Sequence, residues 1–159
     1  MVRLRPMSPT ELDVLLERLT PDYAADHVRS GQWDEGDAVA RSRREIARLV
    51  PEGVRTPNQF LRTIVDDSGD QRVGEVWYAL QTMERVRPQV FVYWLGIDLP
   101  FRRRGYAAQV LRWMEDEARR LGADRIALHV FADNTGAQAL YAREGYVSTN
   151  VLMAKALGP

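Results

Sequence analysis

The sequence predicts an α/β or α+β fold, a sheet sandwiched by helices, and three features of the chain carry that expectation. Amphipathic helical patterns come first, a strand hairpin follows from Phe60, and from Val90 the pattern alternates strand, helix, strand, helix, strand. At 159 residues the chain is the size of one ordinary globular domain, spanning residues 1–159, with no internal repeat, low-complexity tract or linker.

The helical start is read from Ser8-Pro9-Thr10-Glu11. The Ser8 hydroxyl can accept from a free amide, Glu11 can reach back, and Pro9 suits the first helical position. Leu12, Leu15, Leu16 and Leu19 then share one face. Pro21 is expected to interrupt, with a second helical piece through Tyr23, Ala24, His27 and Val28 ending near Gly31. Residues 33–37 read as a loop whose last residue, Asp37, caps a third helix over 38–50 with Val39, Ile46 and Leu49 inward.

Residues 61–65 and 73–83, separated by Asp67-Ser68-Gly69-Asp70, form the hairpin. Residues 90–97 are a denser apolar run, the pattern of a strand covered on both faces. A helix over 105–121 follows, with Ala107, Leu111, Met114, Ala118 and Leu121 on one face and Gly122 as its stop. Residues 125–130 read as a buried strand, 134–144 as a short helix capped by Asn134 and ended by Gly145, and 146–154 as a last strand or hairpin.

Composition narrows the chemistry. Lys plus Arg equal Asp plus Glu at 22 each, so no overall field attracts nucleic acid, and a basic site must be local. Without cysteine there are no disulfides, thiol nucleophiles or thiolate metal sites. His27 and His129 lie far apart and in no metal-ligand spacing, so no metal is expected. Charges and a proline occupy Met1-Val2-Arg3-Leu4-Arg5-Pro6, where a signal peptide would need an apolar stretch, and no run approaches a membrane span. A soluble, cytoplasmic protein with no membrane partner is expected.

The most informative stretch is Ile97-Asp98-Leu99-Pro100-Phe101-Arg102-Arg103-Arg104-Gly105-Tyr106-Ala107, between a buried strand and an amphipathic helix. Free helix-start amides, the positive end of the helix dipole, close backbone approach at Gly105 and three mobile cations suit a diphosphate. Taken alone, Arg102, Arg103 and Arg104 also fit a solvated basic turn. In context the chain resembles the GCN5-related N-acetyltransferase (GNAT) superfamily, and small bacterial members of undefined acceptor within it. Its acyl-CoA signature is Gln or Arg, two variable residues, Gly, any residue, then Gly or Ala; Arg102, Gly105 and Ala107 fill those places. Leu128-His129-Val130-Phe131, Asn134, Ala137, Leu140-Tyr141 and Gly145-Tyr146 look like the family's later strand and helix. Arg103 departs from the glycine many relatives carry, and would be strained if that position needs a positive φ.

The resemblance implies a mixed, mostly antiparallel central sheet flanked by helices, with the cofactor cleft at a splayed pair of strands. It implies an enzyme that uses acetyl-CoA as donor and transfers its acetyl group by direct attack to a primary amine of a small molecule or a peptide or protein. The backbone of Trp94, Leu95, Gly96 and Ile97 would pair with the pantetheine arm, and Arg102, Arg103, Arg104, Gly105, Tyr106, Ala107 and Ala108 would cradle the pyrophosphate. Asn134 matches a pantetheine contact, although it is also chemically sound as an N-cap. Tyr141 matches the residue beside the sulfur and would protonate the leaving thiolate; it also fits an amphipathic tyrosine packed beside Leu140.

The general base stays open. Residues 90–97 hold no carboxylate, so Glu75 on the preceding strand is the candidate, directly or through water, with Tyr93 second; Glu75 also fits a solvent-facing strand position. Tyr23, His27, Trp33 and Trp77 would line the acceptor's entry, with Asp26, Asp34 and Glu35 attracting a cation, or these are core aromatics and helix-end charges. The acceptor's identity, the acyl-chain preference and the choice between monomer and homodimer are not legible. A catalytically inactive acyl-CoA sensor, a module for another phosphorylated ligand and a pure interaction domain are the rival readings.

Overall fold

The computed structural model describes residues 1–83 and 86–158. Strands β1 (Val2–Pro6), β2 (Gln59–Asp66), β3 (Gln71–Met83), β4 (Val86–Ile97) and β5 (Arg125–Leu128) form one sheet in the order β1-β2-β3-β4-β5. The first four are antiparallel neighbours, and β5 runs parallel to β4. Helices α1 (Pro9–Arg29), α2 (Ala38–Leu49), α3 (Tyr106–Arg120) and α4 (Thr135–Arg143) flank it, with α3 as the crossover between β4 and β5. This is the mixed, mostly antiparallel sheet that the sequence predicts. Among the described residues, no helix is long and apolar enough to cross a membrane.

α1 begins where predicted, with the Ser8 hydroxyl accepting from the Glu11 amide and the Glu11 carboxylate accepting from the Ser8 amide. Glu11 also accepts from Arg5 (2.6 Å) of β1 and from the Thr63 hydroxyl (3.1 Å) of β2, which ties the helix start to the sheet. Leu12, Leu15 and Leu19 of α1, Ile46 of α2, and Leu61 and Trp77 of the sheet make one core face. On the other face Val110, Met114 and Ala118 of α3 pack on Ile64, Val73, Val76, Tyr78, Val90 and Val92. Burying each such side chain contributes roughly 1.5–3 kcal/mol, so these two layers hold the helices to the sheet.

Five expectations are corrected. α1 runs unbroken through Pro21, because Pro21 and Glu17, whose carbonyl loses its donor, both face solvent while Leu19 and Ala24 stay buried. The Ser42 hydroxyl of α2 donates to the Thr20 carbonyl (2.8 Å), which fastens the two helices at that turn. Asp37 makes no side-chain cap at α2, and Val39 is 46% exposed; Ala38, Ser42 and Ile46, spaced four apart, take the inner stripe instead. The chain begins with a strand, β1, too short and too charged to show a period. Residues 146–154 form no strand, since an extended segment becomes one only by pairing and none pairs with it here.

Candidate active site

Parallel pairing and its early end create the cleft. Only residues 89–92 of β4 pair with Arg125–Leu128 of β5, and beyond Val92 the two strands part. Trp94, Leu95, Gly96 and Ile97 still pair with Trp77, Val76, Glu75 and Gly74 of β3, so one edge of β4 is bonded while the other faces the gap. Because β4 and β5 point the same way, the helices that follow them, α3 and α4, both start at the gap end. Ligands bind at such carboxyl ends, where adjacent connections diverge.

The arginine loop caps that end. Leu99–Phe101 forms a single 3-10 turn, and Arg102 folds back so that its Nε donates to the Ile97 carbonyl (2.9 Å). Arg103 has φ 64°, the left-handed region in which a side chain is strained, and Gly105 follows at φ 80°. The positive φ at Arg103 is the condition the sequence reading named as strain. The first backbone bond of α3 is donated by Gln109 to the Gly105 carbonyl (3.1 Å), and Gly105 has no side chain to cap the helix. The Tyr106, Ala107 and Ala108 amides therefore have no partner among the described residues. Tyr106 offers its amide alone, because its hydroxyl donates to Asp66 (2.6 Å) and holds that carboxyl down to about 2. Arg104 lies over the Phe101 ring at 5.7 Å.

α4 begins as predicted, with Asn134 Oδ1 accepting from the Ala137 amide (3.1 Å). Seven residues on, Tyr141 packs 5.7 Å from the Tyr146 ring, and its hydroxyl finds no partner among the described residues. Burial raises the Tyr141 pKa, which keeps the phenol protonated at neutral pH.

Glu75 is not solvent-facing. Its side chain is 2% exposed, Oε1 accepts from Arg18 of α1 and from the Trp94 indole (3.0 Å), and Oε2 accepts from Arg72. Arg72 also donates to Asp98 (2.6 Å), which lies 3.7 Å from Arg18. Gly96 permits this: a Cβ there would meet the Trp94 indole nitrogen at 2.7 Å and Glu75 Oε1 at 2.8 Å. The network walls a cavity of about 380 Å³ lined by Arg18, Asp22, Glu75, Trp94, Asp98 and Arg102. Sequence reading missed Arg18, Asp22, Arg72 and Asp98. A signal existed for the first two, since Arg18 and Asp22 continue the helical spacing of Leu15 and so border the apolar stripe.

Of the four expected acceptor residues the structure gathers three. The His27 ring stacks on Trp33 (4.1 Å), with Tyr23 and Phe131 edge-on to it. Arg29 pairs with Asp26 and Asp133, each at 2.5 Å, so this cluster reaches the loop just ahead of α4. Trp77 is elsewhere: it is 1% exposed and donates to Gln59 (2.7 Å) in the α1–α2 core. Tyr93 packs on Trp77 and accepts from Gln81 (3.2 Å), and Asp34 accepts from the Gly36 amide. Glu35 is exposed on the same loop. No group of three His, Cys, Asp or Glu side chains gathers as a metal site among the described residues.

A profile described as the acetyltransferase (GNAT) family matches residues 16–146. The chain is 32% identical to the uncharacterized N-acetyltransferase YdgE of Bacillus subtilis, over 97% of either chain. It is 34% identical to the uncharacterized N-acetyltransferase YycN of the same organism, over 98% of this chain and 99% of that one. The crystal structure of YycN superposes with a TM-score of 0.91, covering both chains in full. An acetyl transferase from Pyrococcus furiosus, at 16% identity and a TM-score of 0.67 over 99% of this chain and all of that one, shares the fold. The strand gap, the loop at the start of α3 and these likenesses agree: the chain belongs to the acetyltransferase (GNAT) family.

Proposed function

We infer that this acetyltransferase moves the acetyl group of acetyl-CoA to a primary amine of a small molecule or peptide by direct attack. The observation that carries the reading is the gap between β4 and β5 opening where α3 starts with uncapped amides behind a left-handed Gly105. The free edge at Trp94, Leu95, Gly96 and Ile97 takes the pantetheine arm. The amides of residues 103–108 and the Arg102, Arg103 and Arg104 guanidiniums hold the diphosphate, and Asn134 borders the arm.

The neutral amine attacks the thioester carbonyl carbon, the carbon–sulfur bond breaks, and the thiolate takes the Tyr141 proton. Both Glu75 oxygens already accept from guanidinium and indole donors, so Glu75 orients Arg18 and Trp94 and receives the amine's proton through water. Asp22 and Asp98 at the same cavity draw the ammonium in, and the Tyr23–His27–Trp33 cluster flanks its approach. Acetyl-CoA chemistry in a chain without cysteine suits the cytoplasm.

The test is thermal unfolding with acetyl-CoA and with ATP, followed by CoA-thiol release over an amine panel. Acetyl-CoA at 100 times its Kd adds about 2.7 kcal/mol. No shift at millimolar acetyl-CoA, or an equal shift with ATP, refutes the assignment.

A further inference from the structure

We propose that residues 146–158 are an exchange arm, which adds as a strand to the free edge of β5 in a second copy of this chain while that copy returns the same arm. The arm begins at Gly145 (φ 87°), where the Tyr146 amide donates to the Tyr141 carbonyl (2.9 Å). Beyond that bond residues 146–158 contain no turn, no bend and no regular element, and every residue from 147 to 158 is exposed. Among the described residues, none donates or accepts a backbone bond to this segment past Tyr146. Such a stretch reaches about 40 Å when extended.

Its composition is wrong for a solvated tail. Val147, Val151, Leu152, Met153 and Leu157 are 80%, 72%, 77%, 87% and 85% exposed, and Lys155 is the only charge in the segment. Soluble chains do not leave a contiguous apolar run of this kind in water without a use. Val151 and Met153 fall on one side of an extended strand and Leu152 and Ala154 on the other. Apolar residues on both sides mark a strand that is paired at its edges and covered on its faces.

The missing cover lies at the same end of the molecule. β5 closes the sheet and pairs with β4 alone, which leaves a row of unmatched backbone groups along its outer edge. Ile126, Ala127 and Leu128 are only partly buried, and α4 buries none of its residues. Donor strand and acceptor edge thus belong to one chain, and both lack a partner.

A second copy satisfies both. A return of the arm to its own β5 needs a reversal, and residues 146–158 hold no turn or bend to make one. Reciprocal exchange about a twofold axis fills both edges at once and closes, so it gives a dimer and not a fibre. It would also cover the exposed side of α4, the helix that carries Asn134 and Tyr141.

The experiment reads the full chain by sedimentation equilibrium and by amide hydrogen exchange. The expected mass is about 36 kDa, twice the 18.2 kDa chain, with residues 147–157 and β5 protected together. Val151→Asp with Met153→Asp should give an 18.2 kDa species whose circular dichroism keeps the helices, and should expose β5 amides to exchange. A monomeric parent overturns the proposal, whether its arm exchanges freely or is protected by its own chain. So does a dimer whose arm exchanges at the rate of unfolded peptide, or a folded double variant that stays dimeric. The parent's mass and protection decide the matter even where the double variant does not fold.

Discussion

Replacing Gly96 by alanine tests whether the Glu75–Trp94 contact is held as described. The added Cβ would stand 2.7 Å from the indole nitrogen and 2.8 Å from Glu75 Oε1, against a normal carbon contact of roughly 3.5 Å. Gly74 sits across the β3–β4 ladder so close that its own Cβ would lie 2.1 Å from the Gly96 carbonyl oxygen, so the backbone cannot retreat in that direction. The indole must swing out and give up its 3.0 Å bond to the buried carboxylate. Losing a hydrogen bond to a charged group costs about 1.5–3 kcal/mol. Removing a glycine from the unfolded chain returns roughly 0.4–1 kcal/mol. The net destabilisation is therefore about 1–2 kcal/mol, or roughly 2–8 °C in Tm for a chain of this size. Urea unfolding of Gly96→Ala, Trp94→Phe and the double variant measures it. Because both single changes break the same bond, the double should fall short of their sum by at least about 0.5 kcal/mol. A Gly96→Ala protein as stable as its parent, or strict additivity, refutes the contact. Acetyl-CoA should stabilise this variant as it does the parent, since Gly96 offers that ligand only backbone.

Tyr141→Phe removes one hydroxyl without a bonded partner, so melting and acetyl-CoA affinity should hold while turnover falls about 10- to 1000-fold; parent-like turnover where chemistry limits the rate would return the proton to solvent. Gly105→Val meets no neighbour within 4 Å, so its cost comes from the left-handed backbone, roughly 1–2 kcal/mol. The loop shift it forces should weaken acetyl-CoA binding by calorimetry, and unchanged affinity would place the phosphates elsewhere. Glu11, bonded chiefly to Arg5 and also to Ser8 and Thr63, has its pKa lowered from 4.5 to about 2. Its folded value is depressed, so its stabilisation is complete above about pH 4.5 and drains away as pH falls toward 2. Glu11→Gln should flatten the acid limb of stability in that window by on the order of 1–2 kcal/mol, and an unchanged limb in pH-dependent urea titrations would assign acid unfolding to other carboxylates.

Local chemistry was readable because it is short-range. Ser8 and Glu11 cap a helix within one turn, Asn134 does the same for α4, and the four-and-three spacing of Leu111, Met114 and Ala118 marks the buried face of α3. The spacing of Arg102, Gly105 and Ala107 likewise located the loop at the gap end of β4. β1 escaped notice because five residues with two arginines carry no period, and its strand identity comes wholly from pairing with β2. Pro21 misled because whether a proline ends a helix depends on which way the freed carbonyl faces, and that is set by packing.

By itself the sequence determined the order of helices and strands, the caps, and the loop chemistry that a diphosphate needs, since each depends on neighbours within a few positions. Only the tertiary structure decided that β4 and β5 part after Val92, that Glu75 is enclosed by Arg18, Arg72 and Trp94, and that Trp77 belongs to the core while Tyr23, His27 and Trp33 gather near the mouth. Those facts join residues as far apart as Arg18 and Glu75, 57 positions in sequence. No local pattern encodes such a meeting, because it is chosen by the packing of α1 on the sheet, where many small burial energies are summed at once.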